Sequence, residues 1–200
     1  MTGNSTTNSM SSNREMILTI VTGGIAIALS FVLSNIKLFE LPNGGTITPA
    51  SILPVIVFAM AFGPGWGFAV AFILSLLQLI GGYLVTPFQV LLDYTLGYTA
   101  YGFIGFAALP RRERLALRNP LKRFLNAGIV RAVAFTFVAY LIRWFCSVLS
   151  GVIFYAEYAP EGMNPWIYSM TYNGSFLSID FAVLLPVMIV LYVVLKRAYK

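Results

Sequence analysis

Residues 16–36 read MILTIVTGGIAIALSFVLSNI, a run in which no side chain is charged. About 20 consecutive, mainly apolar residues make a helix long enough to cross the hydrocarbon core of a bilayer. The polar stretch 1–13 in front of it carries no charge, so it lacks the basic start of a secretory signal peptide. We therefore predict that residues 16–36 form a transmembrane helix rather than a cleaved leader.

The composition of the whole chain indicates the same class of protein. Apolar residues make up 58% of the 200 positions, charged residues make up 10%, and the mean hydropathy is +0.82. Soluble domains carry about 25% charged residues, and a chain this apolar lacks the polar side chains to cover its surface in water. We therefore predict an all-α integral membrane protein.

Five more apolar runs follow the first, and glycine or proline residues separate them. Together the six runs predict six transmembrane helices. The predicted spans are 16–36, 49–62, 66–83, 87–109, 125–151 and 175–195. We expect residues 14–200 to form a single six-helix membrane domain, and residues 1–13, rich in Ser, Thr and Asn, to form a disordered polar tail.

The basic residues predict the orientation of this bundle. With six spans, both termini and the loop 110–124 lie on one side, which then holds ten of the thirteen Lys and Arg residues. The opposite side has Lys37 and three glutamates. Because basic residues are retained in the cytoplasm, we predict that both termini are cytoplasmic. Retention accounts for the arginines of loop 110–124, although an anionic-lipid or nucleotide site there is an alternative.

Missing residue types exclude several kinds of site. The chain has no histidine, and its one cysteine, Cys146, has no partner for an internal disulfide. Histidine-based zinc sites and Ser-His or Cys-His nucleophiles are therefore excluded. The sequence has no glycine-rich phosphate loop, so it carries no motif for ATP hydrolysis. We predict that the protein is not an enzyme and has no metal site and no cofactor.

Two acidic residues, Asp93 and Asp180, lie in strongly apolar surroundings. Asp93 is about two turns into the fourth predicted helix, where a carboxylate without a partner is unfavourable by roughly several kcal/mol. An acid at this depth is therefore a candidate for ligand binding. A structural ion pair with Arg143, at a comparable depth in the fifth predicted helix, is the alternative.

Aromatic rings and amides are dense on the same side as Asp93. An aromatic belt at the membrane interface explains part of this density, but the 150s to the 170s alternate rings with Glu, Asn, Gly and Pro. We interpret that segment as a long loop, which can serve as a lid. Asp93 and these rings together suit a small, planar, positively charged molecule. The residues of this group are Tyr83, Phe88, Gln89, Tyr94, Trp144, Phe154, Tyr155, Tyr158, Trp166, Tyr168, Tyr172 and Asn173.

Four segments carry a resemblance to a known family. They are 41–48 (LPNGGTIT), 89–94 (QVLLDY), Arg143 followed by 150–154 (SGVIF), and 166–174 (WIYSMTYNG). In this order they resemble the substrate-binding S component of energy-coupling factor (ECF) vitamin transporters, most closely the thiamine-specific branch. The resemblance implies six helices and a vitamin pocket near the outer face, closed by the loop after the first helix.

The resemblance also implies a function and partners. It implies a subunit of the bacterial plasma membrane that captures a vitamin with high affinity for ATP-driven uptake. Its implied partners are a membrane coupling subunit and two cytoplasmic ATPase subunits. Thiamine is the most direct implied substrate, and a thiamine precursor or a vitamin B6 compound is an alternative. A self-sufficient secondary transporter is an alternative of another class, although it would need coupling-ion ligands at mid-membrane.

The family pattern falls on eight residues, which the resemblance implies as substrate-binding. Asp93 stands where glutamate is usual, Ser147 replaces a histidine and Tyr155 replaces a tryptophan. A first-loop tryptophan of the family is also missing, with Phe39 the nearest aromatic residue. These departures imply a reshaped pocket. The implied substrate-binding residues are Asp93, Tyr94, Tyr83, Ser147, Gly151, Tyr155, Tyr168 and Asn173.

Small residues at four-residue spacing, Gly24 and Ala28, occur on the first predicted helix. Such a face lets another helix approach closely within the membrane. Packing inside the bundle is one interpretation. The resemblance implies the other, in which this face contacts the coupling subunit.

Overall fold

The computed structural model describes the backbone of residues 3–199 and the side chains of residues 13–42 and 44–199. This described part is a helical bundle with one two-stranded hairpin. Its helices are α1 Gly3–Asn35, α2 Leu53–Phe62, α3 Pro64–Leu77, the composite α4 from residue 87 to residue 107, α5 Arg111–Ala116, α6 Pro120–Ala127, α7 Ile129–Phe154 and α8 Pro165–Ala198. The all-α membrane class is confirmed.

Helix α4 is a continuous run of four pieces with different backbone geometry. Pro87–Val90 and Gly97–Thr99 are α-helical, Leu91–Leu96 is a π-helix, and Ala100–Ala107 is a 3-10 helix. A π-helical turn inside an α-helix is rare and occurs frequently at functional sites. The π-helix contains Asp93, so the unusual geometry coincides with the candidate ligand-binding acid.

The hairpin lies between α1 and α2. Strand β1 (Phe39–Glu40) pairs antiparallel with strand β2 (Thr46–Ile47), and a short 3-10 turn, Pro42–Gly44, joins them. Gly44 has a φ of +88°, in the left-handed region that favours glycine. The hairpin folds the chain over one end of the bundle.

Three helical segments are long and apolar enough to cross a membrane: Asn13–Asn35, Ile129–Phe154 and Pro165–Ala198. The other predicted spans also contain helices, but α2 and α3 have 10 and 14 residues. Seven of the ten residues of α2 are buried, because α1, α3, α4 and α6 surround it. A helix enclosed in this way is shielded from lipid by its neighbours. The count of six crossings stays a prediction.

The predicted loop through the 150s and 170s is wrong in its second half. Helix α8 begins at Pro165, ten residues before the predicted sixth span, and only residues 155–164 connect it to α7. The side chain of Asn164 accepts a hydrogen bond from the backbone N–H of Trp166 and caps the helix, and Pro165 occupies its first turn. Residues 166–174 include polar side chains, so the apolar run alone predicted a helix that starts at residue 175. The helix in fact begins ten residues earlier.

The basic segment 110–124 contains all of α5 and the first five residues of α6, and it lies at the end of the bundle opposite the hairpin. Arg123, on α6, binds both carboxylate oxygens of Glu15, on α1, at 2.5 and 2.8 Å. The Lys122 ammonium lies 6.0 Å from the centre of the Tyr199 ring. The starting half of α1 and the end of α8 therefore lie beside this segment, as the charge pattern predicts. That this end faces the cytoplasm, and that residues 1–13 are disordered, stay predictions.

Candidate functional site

A cavity of about 90 Å³ lies at the hairpin end of the bundle, between α4, α7, α8 and the chain that leads into β2. All eight residues that the sequence resemblance implies as substrate-binding line it. Their role in binding stays a prediction, but the fold brings them together. The lining residues are Gly44, Gly45, Thr46, Tyr83, Gln89, Asp93, Tyr94, Tyr98, Arg143, Ser147, Gly151, Tyr155, Tyr168, Ser169, Tyr172, Asn173 and Phe176.

Asp93 is held in this cavity by neutral donors. Its Oδ2 accepts hydrogen bonds from Gln89 Nε2 at 2.8 Å and from the Ser150 hydroxyl at 2.7 Å. Gln89 is itself fixed, because its Oε1 accepts from the backbone N–H of Val85 at 3.1 Å. Both side-chain bonds that orient Asp93 end on Oδ2, which leaves Oδ1 to accept from a ligand N–H group.

Arg143 lines the cavity but does not pair with Asp93. Within the described side chains, the ion pairs closer than 4.0 Å are Lys37–Glu40 and Arg123–Glu15. The guanidinium of Arg143 instead donates to the Tyr101 hydroxyl at 2.6 Å. The alternative of a structural Asp93–Arg143 ion pair is therefore wrong.

Aromatic faces hold the charge of Arg143 in place of a carboxylate. The guanidinium carbon lies 3.9 Å from the centre of the Tyr98 ring and 5.5 Å from that of Tyr101. Such cation–π contacts stabilise a cation that is shielded from water. The Nε atom of Arg143 is buried and has no hydrogen-bond partner among the described residues. The cavity thus contains the Asp93 carboxyl group and the Arg143 guanidinium, which do not form an ion pair with each other.

Tyrosine rings supply much of the remaining wall. Tyr94 and Tyr98 are stacked with an interplanar angle of 8° and a centroid separation of 6.3 Å. The Tyr83 and Tyr155 rings lie 6.2 Å apart across another part of the wall. Burial, and then the nearby Asp93 carboxylate, raise the pKa of Tyr155, which follows the last residue of α7. This phenol is therefore neutral at physiological pH and can donate a hydrogen bond.

Tyr94 also fixes the chain that precedes α4. Its hydroxyl accepts from the backbone N–H of Tyr83 at 2.7 Å. A Cβ atom added to Gly82 would lie 2.8 Å from this hydroxyl, so the close approach requires glycine at that position. This bond fixes the backbone at Tyr83, whose side chain lines the cavity.

The seam between α7 and α8 is built from small and polar residues. Asn173 Nδ2 donates to the backbone oxygen of Ser147 at 3.2 Å and to that of Ser169 at 3.0 Å. A Cβ atom added to Gly151 would lie 2.1 Å from the Ser169 hydroxyl oxygen, so glycine lets the two helices meet. The amide nitrogen of Asn173 is therefore occupied in the seam, and its Oδ1 is the group that remains for a ligand.

A second, larger cavity of about 360 Å³ adjoins the first. It lies under the hairpin, and its wall includes Ser34, Gln78 and the Lys37–Glu40 ion pair. Ligand pockets usually enclose roughly 300–1,000 Å³, so the first cavity alone is small for a ligand with two rings. The residues that line both cavities are Gly44, Thr46, Tyr83, Tyr94 and Tyr98.

The sequence did not single out several lining residues as ligand-binding. Tyr98 follows Tyr94 by four residues, and Phe176 follows Tyr172 by four, so helical spacing is the signal that links each to a recognised residue. Ser169 precedes Asn173 by four residues, so the same spacing links it to a recognised residue, whereas its contact with Gly151 depends on the register between α7 and α8. In the part of the chain that the structure describes, no cluster of three or more Cys, Asp or Glu residues can hold a metal ion.

Comparisons with known proteins identify the family. The family model described as thiamine transporter protein (Thia_YuaJ) matches residues 20–200. The thiamine transporter ThiT of Bacillus subtilis (strain 168) is 30% identical over 164 residues, which cover 80% of this chain and 82% of that protein. ThiT of Lacticaseibacillus paracasei (strain ATCC 334) is 28% identical over 193 residues, or 90% of this chain and 88% of that protein.

A solved structure supports the fold independently. ThiT from Listeria monocytogenes superposes with a TM-score of 0.69 at 22% identity, over 93% of this chain and 97% of that chain. The agreement extends over nearly the whole bundle. On the family match over residues 20–200 and the relative with 30% identity, this chain belongs to the thiamine transporter protein family.

Proposed function

We propose that this multi-pass membrane protein binds thiamine as the substrate-binding S component of an ECF-type uptake transporter. The observation that carries the proposal is Asp93, a carboxylate oriented by neutral donors inside a cavity walled by tyrosines. The names of the matching family and of its relatives support the substrate. The family is one of transporters, and binding rather than catalysis is the activity expected of this site.

The chemistry of thiamine fits this arrangement. Thiamine joins an aminopyrimidine to a positively charged thiazolium ring. In our proposal Asp93 Oδ1 accepts a hydrogen bond from the amino group, and its charge attracts the cation. The thiazolium contacts the faces of Tyr83 and Tyr155, because cation–π attraction favours it there. Arg143, held against Tyr98, repels the cation and so favours one orientation of the ligand.

A one-ring compound is the second candidate substrate. The first cavity measures about 90 Å³, and Ser147 and Tyr155 stand where the family pattern has a histidine and a tryptophan. The small volume suits a thiamine precursor that consists of the pyrimidine alone, or a B6 vitamer, and the two replacements reshape the pocket. Thiamine itself would extend from the first cavity into the second, under the hairpin.

The transport cycle requires an energy source outside this chain. We propose a membrane coupling subunit and two ATPase subunits as partners, with both termini of a six-span bundle in the cytoplasm. The small-residue face of α1 supports the first partner. Gly24 and Ala28 are both exposed, and a Cβ atom added to Gly24 would have no neighbour within 4 Å. A partner helix can therefore approach α1 closely at this face.

A ligand titration tests the proposal. Detergent-purified protein is titrated with thiamine, its pyrimidine precursor and B6 vitamers, and intrinsic Trp and Tyr fluorescence reports binding. We expect thiamine to bind with a Kd below about 1 µM, or about −8 kcal/mol, and to bind much more weakly to Asp93→Asn. Glu157→Gln is the matched control, because it removes an exposed carboxylate at the same end of the bundle.

The same titration identifies the outcome that contradicts the proposal. Tight binding of another ring compound without thiamine binding would keep the site and change the substrate. Silence from every ligand would contradict a vitamin-binding role. Reconstitution of the purified chain in liposomes then separates the two transport classes. Uptake by the chain alone, driven by an ion gradient, would indicate a secondary transporter instead of an S component.

A further inference from the structure

Asp180 is the second buried acid of the bundle, and the candidate site does not use it. It lies on α8, is 6% exposed and lines neither cavity. An acid in such a position is unfavourable unless hydrogen bonds satisfy its oxygens. Its bonding partners therefore indicate what it holds in place.

Those partners connect the hairpin to the bundle. Asp180 Oδ1 accepts from both the backbone N–H and the hydroxyl of Thr48, each at 2.9 Å. Its Oδ2 accepts from the Tyr140 hydroxyl on α7 at 2.7 Å. Thr48 follows β2 directly, and the Ser51 hydroxyl lies 2.8 Å from that of Thr48. One buried carboxylate thus ties the end of the hairpin to two helices.

The chain just beyond Thr48 is strained. Ala50 has a φ of +58°, in the left-handed region, although it is not glycine and is 4% exposed. A residue with a Cβ keeps this conformation when the surrounding structure imposes it. The bonds from Asp180 to Thr48 and from Thr48 to Ser51 supply that constraint on either side of Ala50.

A second attachment holds the other part of the hairpin. The Tyr172 hydroxyl accepts from the backbone N–H of Gly45 at 3.2 Å and donates to the backbone oxygen of Pro42. Tyr172 precedes Asp180 by eight residues, so both lie on one face of α8. A Cβ atom added to Gly45 would lie 2.8 Å from the ring of Phe176, which is midway between them. One face of α8 therefore carries residues 42–48, which we name the outer loop.

We infer that Asp180 is a positioning residue, which anchors the base of the outer loop at Thr48 while Tyr172 holds its tip as a releasable latch. The inference rests on the proposed function, because Gly44, Gly45 and Thr46 of this loop line the candidate site. The two attachments differ in burial. The bonds to Asp180 are buried, whereas Tyr172 is partly exposed and bonds only to backbone groups. The family resemblance implies that this loop closes the pocket; with these two attachments, ligand exchange opens the tip and leaves the base attached.

Hydrogen–deuterium exchange of the ligand-free protein tests the anchor without reference to any ligand. We expect Asp180→Ala to raise amide exchange in residues 44–50 by about tenfold, because the lost bonds involve a charged acceptor. Asp180→Asn should remain within about threefold of wild type, since its amide oxygen still accepts from Thr48. Ser178→Ala, on the exposed side of α8, is the matched control.

Stopped-flow measurement of thiamine dissociation tests the positioning role. Asp180→Ala should accelerate dissociation by about tenfold with no loss of the rest of the fold. Tyr172→Phe, which keeps the ring, should accelerate association and dissociation together, by about threefold each. If Asp180 only stabilised the fold, its replacement would not accelerate dissociation selectively while Tyr172→Phe accelerates association and dissociation together.

The outcomes separate this inference from the proposed function. Unchanged exchange in folded Asp180→Ala would overturn the anchor, and faster exchange with unchanged dissociation would overturn its role in ligand retention. Wild-type protein that binds no thiamine would contradict the proposed function, while the exchange of the outer loop still decides the anchor. If Asp180→Ala does not fold, Thr48→Val replaces it. That variant loses one hydroxyl donor and should raise exchange by about threefold, and no rise would overturn the anchor.

Discussion

At the end of the bundle that carries the basic segment, Arg123 is 1% exposed and binds both oxygens of Glu15. Its Nε donates to the backbone oxygen of Leu117 at 2.8 Å, so the guanidinium is well satisfied. At the hairpin end, Asp93 and Arg143 line one cavity without forming an ion pair. Asp93 accepts hydrogen bonds from neutral side chains, and Arg143 contacts tyrosine rings. The first pair joins α1 to α6, and the second leaves opposite charges available to a third molecule.

This contrast separates a charge that stabilises the fold from one that is available for binding. In an ion pair such as Arg123–Glu15 the two charges neutralise each other, and removal of one partner leaves the other charge unsatisfied. A binding site needs the reverse, because a ligand gains most from groups that the protein has oriented but not neutralised. Three variants test whether the two ends differ in this way, and a fourth changes a residue outside both ends.

The largest effect is expected at the basic end. Arg123→Met should lower the free energy of unfolding by about 3 kcal/mol, at the low end for a buried ion pair, because Glu15 loses its partner but is 30% exposed. The measurement is thermal unfolding in detergent, with Arg118→Met as the control for an exposed arginine. The fraction that remains folded should bind thiamine as wild type does. Loss of affinity in that fraction would contradict the separation of the two ends.

Asp93→Asn should show the opposite pattern. We expect a loss of about 2 kcal/mol in thiamine binding, or about 30-fold in Kd, since the bond to a charged acceptor is replaced by a neutral one. The unfolding temperature should be unchanged or slightly raised, because the isosteric amide removes a buried charge. Titration and thermal unfolding of the same preparation check both. Destabilisation without loss of affinity would assign Asp93 a structural role.

Arg143→Met tests the other charge of the cavity. Its guanidinium donates to Tyr101 and contacts ring faces, and no carboxylate depends on it. We therefore expect destabilisation of about 1 kcal/mol, well below that of Arg123→Met. Parallel unfolding curves of the two methionine variants provide the comparison. Equal destabilisation would mean that Arg143 has a partner as important as Glu15.

The smallest effect on the isolated protein is expected outside both ends. Gly24→Leu, on the exposed face of α1, should change the free energy of unfolding by less than about 0.5 kcal/mol and leave thiamine binding unchanged. In cells that express the proposed partner subunits, the same variant should abolish thiamine uptake. Val190→Leu, at an exposed position of α8, is the control. Normal uptake by Gly24→Leu would contradict the proposed contact with the coupling subunit.

Much of this arrangement could be predicted from the sequence. Apolar runs and charge bias can be read directly from the sequence. They predict the helices, and they predict that the basic segment lies beside the start of α1 and the end of α8. The resemblance selected eight residues that the fold brings to one cavity, although their binding role is untested. The sequence failed where tertiary contacts decide. Helix α8 continues through polar residues 166–174, and Arg143 pairs with tyrosines instead of Asp93. The part played by Ser169 depends on the packing of Gly151 against it.

The π-helix of α4 has a consequence for how this site can change. A π turn contains more residues than an α turn of equal rotation, so the direction of Asp93 depends on the number of residues in the turn as well as on their identity. Deletion of one residue, for example Thr95, would favour an α turn and rotate Asp93 relative to Tyr98. If Asp93 binds the ligand as proposed, the number of residues in a single turn would influence which ligand the site accepts, and a position-by-position comparison of the lining residues would not reveal this.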